Sequence, residues 1–121
     1  MVDQRSGNLK YSELTAKIIG CAIEVHNILG VGFQEIIYQK ALALELKAAG
    51  INYVREYDMD IFYKGIKVGI RRVDFFIENI ISVELKAVSE LQNVHIAQAR
   101  NYLEAQNIEI GLLINFGENK L

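Results

Sequence analysis

Between residues 51 and 86 the chain abandons helical periodicity for strand periodicity, and helical segments stand on both sides of that stretch. β-Branched and aromatic residues fill it, and two dipeptides, Lys64-Gly65 and Glu78-Asn79, carry two-residue turn chemistry. The pattern predicts strands at 51–57, 61–63, 66–69, 71–77 and 80–86. A sheet of hairpins must bury at least one face, so the flanking segments have to cover it. Before it, Leu14, Ile18, Cys21, Ala22, Val25 and Leu29 recur in steps of three and four, a helix over about 10–29. Gly30 and Gly32 stop that helix, and a second runs over about 33–49 to Gly50. Helical character returns over 91–105, and 108–115 is an apolar run of the kind found in a buried central strand.

The expected order is α-α-β-β-β-β-β-α-β, an α/β (α+β) fold with a mixed central sheet flanked by helices. The chain has 121 residues, of which 51% are hydrophobic and 23% charged, enough to build one core. No linker, repeat or low-complexity segment divides it. The expectation is a flexible polar arm over 1–8, a single domain over 9–117 and a polar tail over 118–121. No apolar run approaches the length of a membrane span, and the first residues lack a signal-type stretch, so a cytoplasmic protein is expected. A single cysteine, Cys21, excludes an internal disulfide and a cysteine zinc cluster; within its helical pattern it reads as a small buried hydrophobe. The net charge of −2 and pI near 5.7 argue against a protein that coats nucleic acid, though less against an enzyme whose own carboxylate cluster lowers the charge.

Strand alternation groups the polar residues. In the strand ending at Lys86, Ile81, Val83 and Leu85 face one way while Ser82, Glu84 and Lys86 face the other. Across the 78–79 turn, Arg72, Asp74 and Phe76 share a face, and hairpin pairing brings Asp74 close to Glu84. Adjacent carboxylates resist joint ionisation. A divalent cation removes the conflict, and Mg²⁺ or Mn²⁺ takes one or two carboxylates together with water and phosphate oxygens. Lys86 would then hold the attacking water or neutralise the transition state. A bare Glu-x-Lys is also the pattern of a solvated ion-pair face, and both readings stand at this point.

Two helical features favour the first. Glu35 lies in the first turn of the second helix, where the helix dipole favours an ionised carboxylate. It is three residues from Tyr38, and it would be a third carboxylate reaching the metal directly or through water. In the third helix Gln98 and Tyr102 are four apart and His95 precedes Gln98 by three, a polar stripe suited to lining a site. Arg71-Arg72 lies just before Asp74 and could steer a phosphate to it. The competing readings are a dipole-complementing Glu35, a half-buried Tyr38, a core Tyr102 with its hydroxyl at the rim and an exposed His95.

Asp74…Glu84-Leu85-Lys86 resembles the Asp-x(n)-Glu-x-Lys signature of PD-(D/E)XK nucleases, and Gln98-x-x-x-Tyr102 resembles the QxxxY motif of their RecB-like and lambda-exonuclease-like members. Gly32-Phe33-Gln34-Glu35-Ile36-Ile37-Tyr38 is a Gly-x-x-Glu-x-x-Tyr motif. HNILGVGFQEIIYQKALALEL and NYLEAQNIEIGLLINFG closely resemble the GxxExxY family, small prokaryotic proteins of that superfamily. The resemblance runs from about Leu14 to Gly117. It implies a metal held by Asp74 and Glu84, a catalytic Lys86, Glu35 as the helix carboxylate, and Gln98 and Tyr102 lining the site. The proline that often precedes the first acid is replaced here by Val73. The function implied is Mg²⁺- or Mn²⁺-dependent hydrolysis of DNA or RNA. With little surface for a recognition module, weak sequence specificity or a protein partner that supplies substrate is expected. The alternative is a catalytically silent binding or assembly module, as a homodimer for instance.

Overall fold

The computed structural model describes residues 2–5, 11–105, 108 and 110–121. Its elements are β1 (Val2–Arg5), α1 (Ser12–Leu29), α2 (Glu35–Ala48), β2 (Tyr53–Tyr63), β3 (Ile66–Ile77), β4 (Ile81–Lys86), α3 (Asn93–Ala105) and β5 (Ile110–Asn115). They form one mixed sheet in the order β1-β5-β4-β3-β2. The pairs β2–β3 and β3–β4 are antiparallel hairpins, while β4 and β5 run parallel. A parallel pair needs a long crossover, which α3 supplies.

Two expectations change. The five short strands of the middle region are three, because 51–57 and 61–63 merge into β2 and 66–69 and 71–77 into β3. The two acidic residues in the expected gap are cross-strand partners: Asp58 pairs with Arg72, and Asp60 lies 3.2 Å from Lys67. No glycine or proline interrupts 58–60, so nothing there stops the strand. The second change is at the N-terminus, where residues 2–5 of the expected arm pair antiparallel with β5. This covers the open edge of an otherwise fully buried strand. Residues 1 and 6–8 of that arm lie outside the described residues.

The main core lies on one face of the sheet. Ile18, Ala22 and Val25 of α1 and Tyr38, Leu42 and Leu46 of α2 meet Phe75, Ile77, Ile81, Val83, Leu85, Ile110, Leu112, Ile114 and Phe116. Cys21 is half-buried at its margin. On the opposite face α3 is the one helix among the described residues. Its Leu103 packs so closely on β5 that a Cβ at Gly111 would meet the leucine methyls at 2.8 Å. The chain end is tied to the segment after β4. Asn115 Oδ1 accepts the Val88 and Gly117 N–H groups, both at 3.0 Å, and its Nδ2 donates to the Val88 carbonyl at 2.8 Å. His26 Nε2 lies 2.7 Å from the Glu118 carbonyl, which fixes the start of the tail to α1. Among the described residues no helix is long and apolar enough to cross a membrane.

Candidate active site

The site begins with a fault in the sheet. The β3–β4 ladder runs from Ile77↔Ile81 to Phe75↔Val83 and stops. One further step would have set Asp74 opposite Glu84. On its other side the β2–β3 ladder passes from Arg55↔Phe75 to Tyr57↔Val73 without pairing Glu56 to Asp74, and Glu56 has φ of 54°. A non-glycine residue rarely adopts that conformation within a strand. Alternation reverses there. Phe75 and Ile77 enter the α1/α2 core, whereas Arg71 and Val73, of the same parity, face α3. In an unbroken strand all four would face alike.

Asp74 fills the fault. Its Oδ2 accepts the Leu85 N–H at 2.7 Å, replacing the carbonyl that β3 no longer offers to β4. Its Oδ1 accepts from Gln39 Nε2 of α2 at 2.9 Å. The Gln39 side chain is buried, and its Oε1 has no hydrogen-bond partner among the described residues. A buried carbonyl oxygen without a donor is costly unless water or a ligand supplies one.

Glu84 lies on the α3 face of β4, its side chain 14% exposed. Burial pushes its carboxyl above the usual glutamate range, and the negative charge of Asp74 adds to the rise; Arg71 and, more weakly, Lys86 oppose it. Arg71 Nη2 donates to Glu84 Oε2. The Arg71 guanidinium also lies over the Tyr102 ring, 3.9 Å from its centroid. Glu84 and Tyr102, with Met59, Val73, Ser82 and Leu103, border a narrow cavity of about 20 Å³, room for one water. Lys86 is half-buried, and its ammonium has no hydrogen bond or ion pair among the described residues.

Of the residues singled out from sequence, the structure thus brings together Asp74, Glu84, Lys86 and Tyr102. Others it places differently. Glu35 is exposed at the first position of α2, one turn before Gln39. Among the described residues no three His, Cys, Asp or Glu side chains are grouped closely enough to hold an ion between them. Tyr38 is fully buried and stacks on Phe116 with centroids 4.6 Å apart. Its hydroxyl donates to the Gly30 carbonyl at 2.6 Å and accepts the Phe33 N–H at 3.3 Å, fastening the glycine loop that starts α2. His95 Nδ1 accepts the Gln92 N–H while its own N–H donates to the Gln92 carbonyl, each at 3.0 Å, a reciprocal closure of the first turn of α3. Gln98 is exposed on α3, one turn before Tyr102. Arg72 is exposed and bound to Asp58 at 2.8 Å and 3.2 Å; Arg71 takes the place expected of it. The reversal at Asp74 causes the exchange.

Sequence reasoning missed Gln39. Its spacing of four from Glu35 puts the two on one helix face, and that was the available signal.

Two carboxylates, an orphaned carbonyl oxygen and a lysine on one small surface suit a hard divalent cation, which needs only one or two carboxylates with water and phosphate oxygens completing the shell. The family model of the PD-(D/E)XK nuclease superfamily matches residues 12–121, and the chain belongs to that superfamily. No curated protein and no solved structure gave a significant match.

Proposed function

We propose that this protein is a metal-dependent nuclease of the GxxExxY group, in the QxxxY branch of the superfamily, using Mg²⁺ or Mn²⁺ on DNA or RNA. The observation that carries the reading is the meeting of Asp74 with β4 where the β3–β4 ladder fails. There Asp74 lies close enough to Glu84 to perturb its ionisation. Asp74 and Glu84 would hold the ion, with Glu35 reaching it through water. When bound, the metal supplies Lewis acidity toward the phosphoryl oxygen and a more acidic water. Gln39 keeps the Asp74 carboxylate aimed and offers Oε1 as an acceptor for a nearby water. Lys86, with no carboxylate ion pair among the described residues, is available to orient the attacking water and to neutralise charge on the phosphate. Tyr102 and Gln98 border the approach from α3. The basic residues are scattered along the sequence, which fits weak sequence specificity and a substrate delivered by a partner.

The test is cleavage of labelled single- and double-stranded DNA and RNA by the purified protein in Mn²⁺. Cleavage should appear with wild type and vanish with Asp74→Ala. Equal cleavage by both, or none by either, would reject the reading.

One feature favours a binding module instead. The β2–β3 hairpin runs past the last β4 pairing and exposes Phe62, Tyr63, Ile66, Val68 and Ile70. An exposed apolar cluster of this kind marks an interaction surface. Under this reading the protein binds no Mn²⁺ in calorimetry and forms a homodimer or heteromeric assembly in analytical ultracentrifugation.

A further inference from the structure

Arg71 touches two residues of the site, Glu84 and Tyr102, and its contacts are uneven. One nitrogen bonds Glu84 Oε2, and the guanidinium plane rests on Tyr102. Its Nε–H is buried without a partner among the described residues. An arginine committed to a structural ion pair normally presents its fork to both carboxylate oxygens. Here half of the fork is unused, and a stacking surface, not a second acceptor, holds the group beside the carboxylate. The contact occupies Oε2, one of the two Glu84 oxygens open to a cation.

We infer that Arg71 is a resident counter-cation of Glu84 that must release this carboxylate before it can ligate a metal, and that Tyr102 keeps the released guanidinium at the site to bind the phosphate. The inference rests on the metal-site reading above and adds the substrate-binding group and its order of action. Without metal, Arg71 limits the cost of a buried carboxylate beside Asp74. Once released, it loses one charge-assisted hydrogen bond and keeps its ring contact. Its N–H groups then face the surface where a phosphodiester would lie between Glu84 and Lys86. A bidentate phosphate contact satisfies a guanidinium better than a single bond to Glu84. Arg72, bound to Asp58 and pointing away, has no such role.

The experiment is calorimetric titration of Mn²⁺ into the full chain as wild type, Arg71→Gln, Arg71→Lys and Asp74→Ala, with thermal melts to verify folding and cleavage assays in parallel. Removing the competitor should tighten Mn²⁺ binding by Arg71→Gln roughly tenfold, about the worth of one charge-assisted hydrogen bond. Cleavage by the same variant should fall. Arg71→Lys keeps a charge but not the fork; it should bind Mn²⁺ between the two and also cleave poorly. Wild-type binding abolished by Asp74→Ala, combined with equal or weaker binding by both Arg71 variants, overturns the counter-cation role alone. Absence of binding by every form, or binding indifferent to Asp74→Ala, removes the metal site and this inference with it. Retained cleavage in Arg71→Gln overturns the phosphate role.

Discussion

The two faces of β4 differ in kind. Toward α1 and α2 it presents Ile81, Val83 and Leu85, none more than 1% exposed and all within the continuous apolar core. Toward α3 it presents Ser82, Glu84 and Lys86, against one helix and a narrow cavity. One six-residue strand therefore joins a well-packed face to a charged one. The packed face supplies the rigidity that a buried carboxylate requires, since Glu84 can be held out of water only by a strand that does not yield. Deletions on the two faces should separate stability from chemistry.

The largest effect belongs to the charged face. Lys86→Ala should lower single-turnover cleavage on the order of 10²–10³-fold, as expected for removing a group that stabilises developing charge. Its melting temperature should stay near wild type, because the ammonium has no partner among the described residues to lose. A large fall in stability would place Lys86 in the scaffold and blur the contrast between faces. Next comes its neighbour. Leu85→Ala removes a buried side chain from the core and should destabilise by about 2–5 kcal/mol in urea titration. Cleavage per folded molecule should survive, although the Leu85 N–H still has to hold Asp74. That bond uses the backbone, which the substitution retains.

Sequence periodicity sufficed for the helices, the first hairpin turn and the last strand, because each rests on local signals, while the second turn takes three residues, 78–80, not the two expected. It also placed Glu84 and Lys86 on one face, since β4 is regular. It failed where the regularity fails. Alternation assigned Arg72 to the face of Asp74, yet the reversal at Asp74 and Glu56 sends Arg71 to Glu84 and Arg72 to Asp58. A left-handed residue inside a strand leaves no mark when that residue is glutamate, not glycine. Gln39 was hidden for another reason: a glutamine following a motif tyrosine looks like surface until the sheet places Asp74 beneath it. The N-terminal strand was illegible because its partner, β5, lies at the far end of the chain.

Tyr38 offers a finer test. The motif sets it one turn from Glu35, and the structure uses its hydroxyl to fasten the loop at Gly30 and Phe33. Tyr38→Phe keeps the stack on Phe116 and removes those bonds, so it should destabilise by about 1 kcal/mol. Cleavage at a temperature where the variant is folded should match wild type. Impaired cleavage with unchanged stability would restore the tyrosine to the site.

The smallest effect is the most direct probe of the charged face, because it weighs burial of Glu84 against its pairing with Arg71. Burial wins, so the folded protein holds the Glu84 proton more tightly than the unfolded chain does. A carboxyl raised in this way favours the folded state below the unfolded glutamate pKa of about 4.3, and this advantage is lost as pH climbs through the higher folded value. Glutamine stays neutral throughout. Metal-free Glu84→Gln should therefore gain stability relative to wild type as pH rises from about 4.3 toward neutrality, and the gap should close again in acid. Thermal melts across that range measure it. If wild type instead gains on the variant with rising pH, the Arg71 pair outweighs burial and Glu84 is held ionised as a structural ion pair. Added Mn²⁺ should reverse the gap at neutral pH, because a ligand that binds only the folded wild-type site raises its stability by mass action. The apolar face of β4 has no group that responds to either proton or metal, so the same titration on Leu85→Ala should move parallel to wild type at every pH.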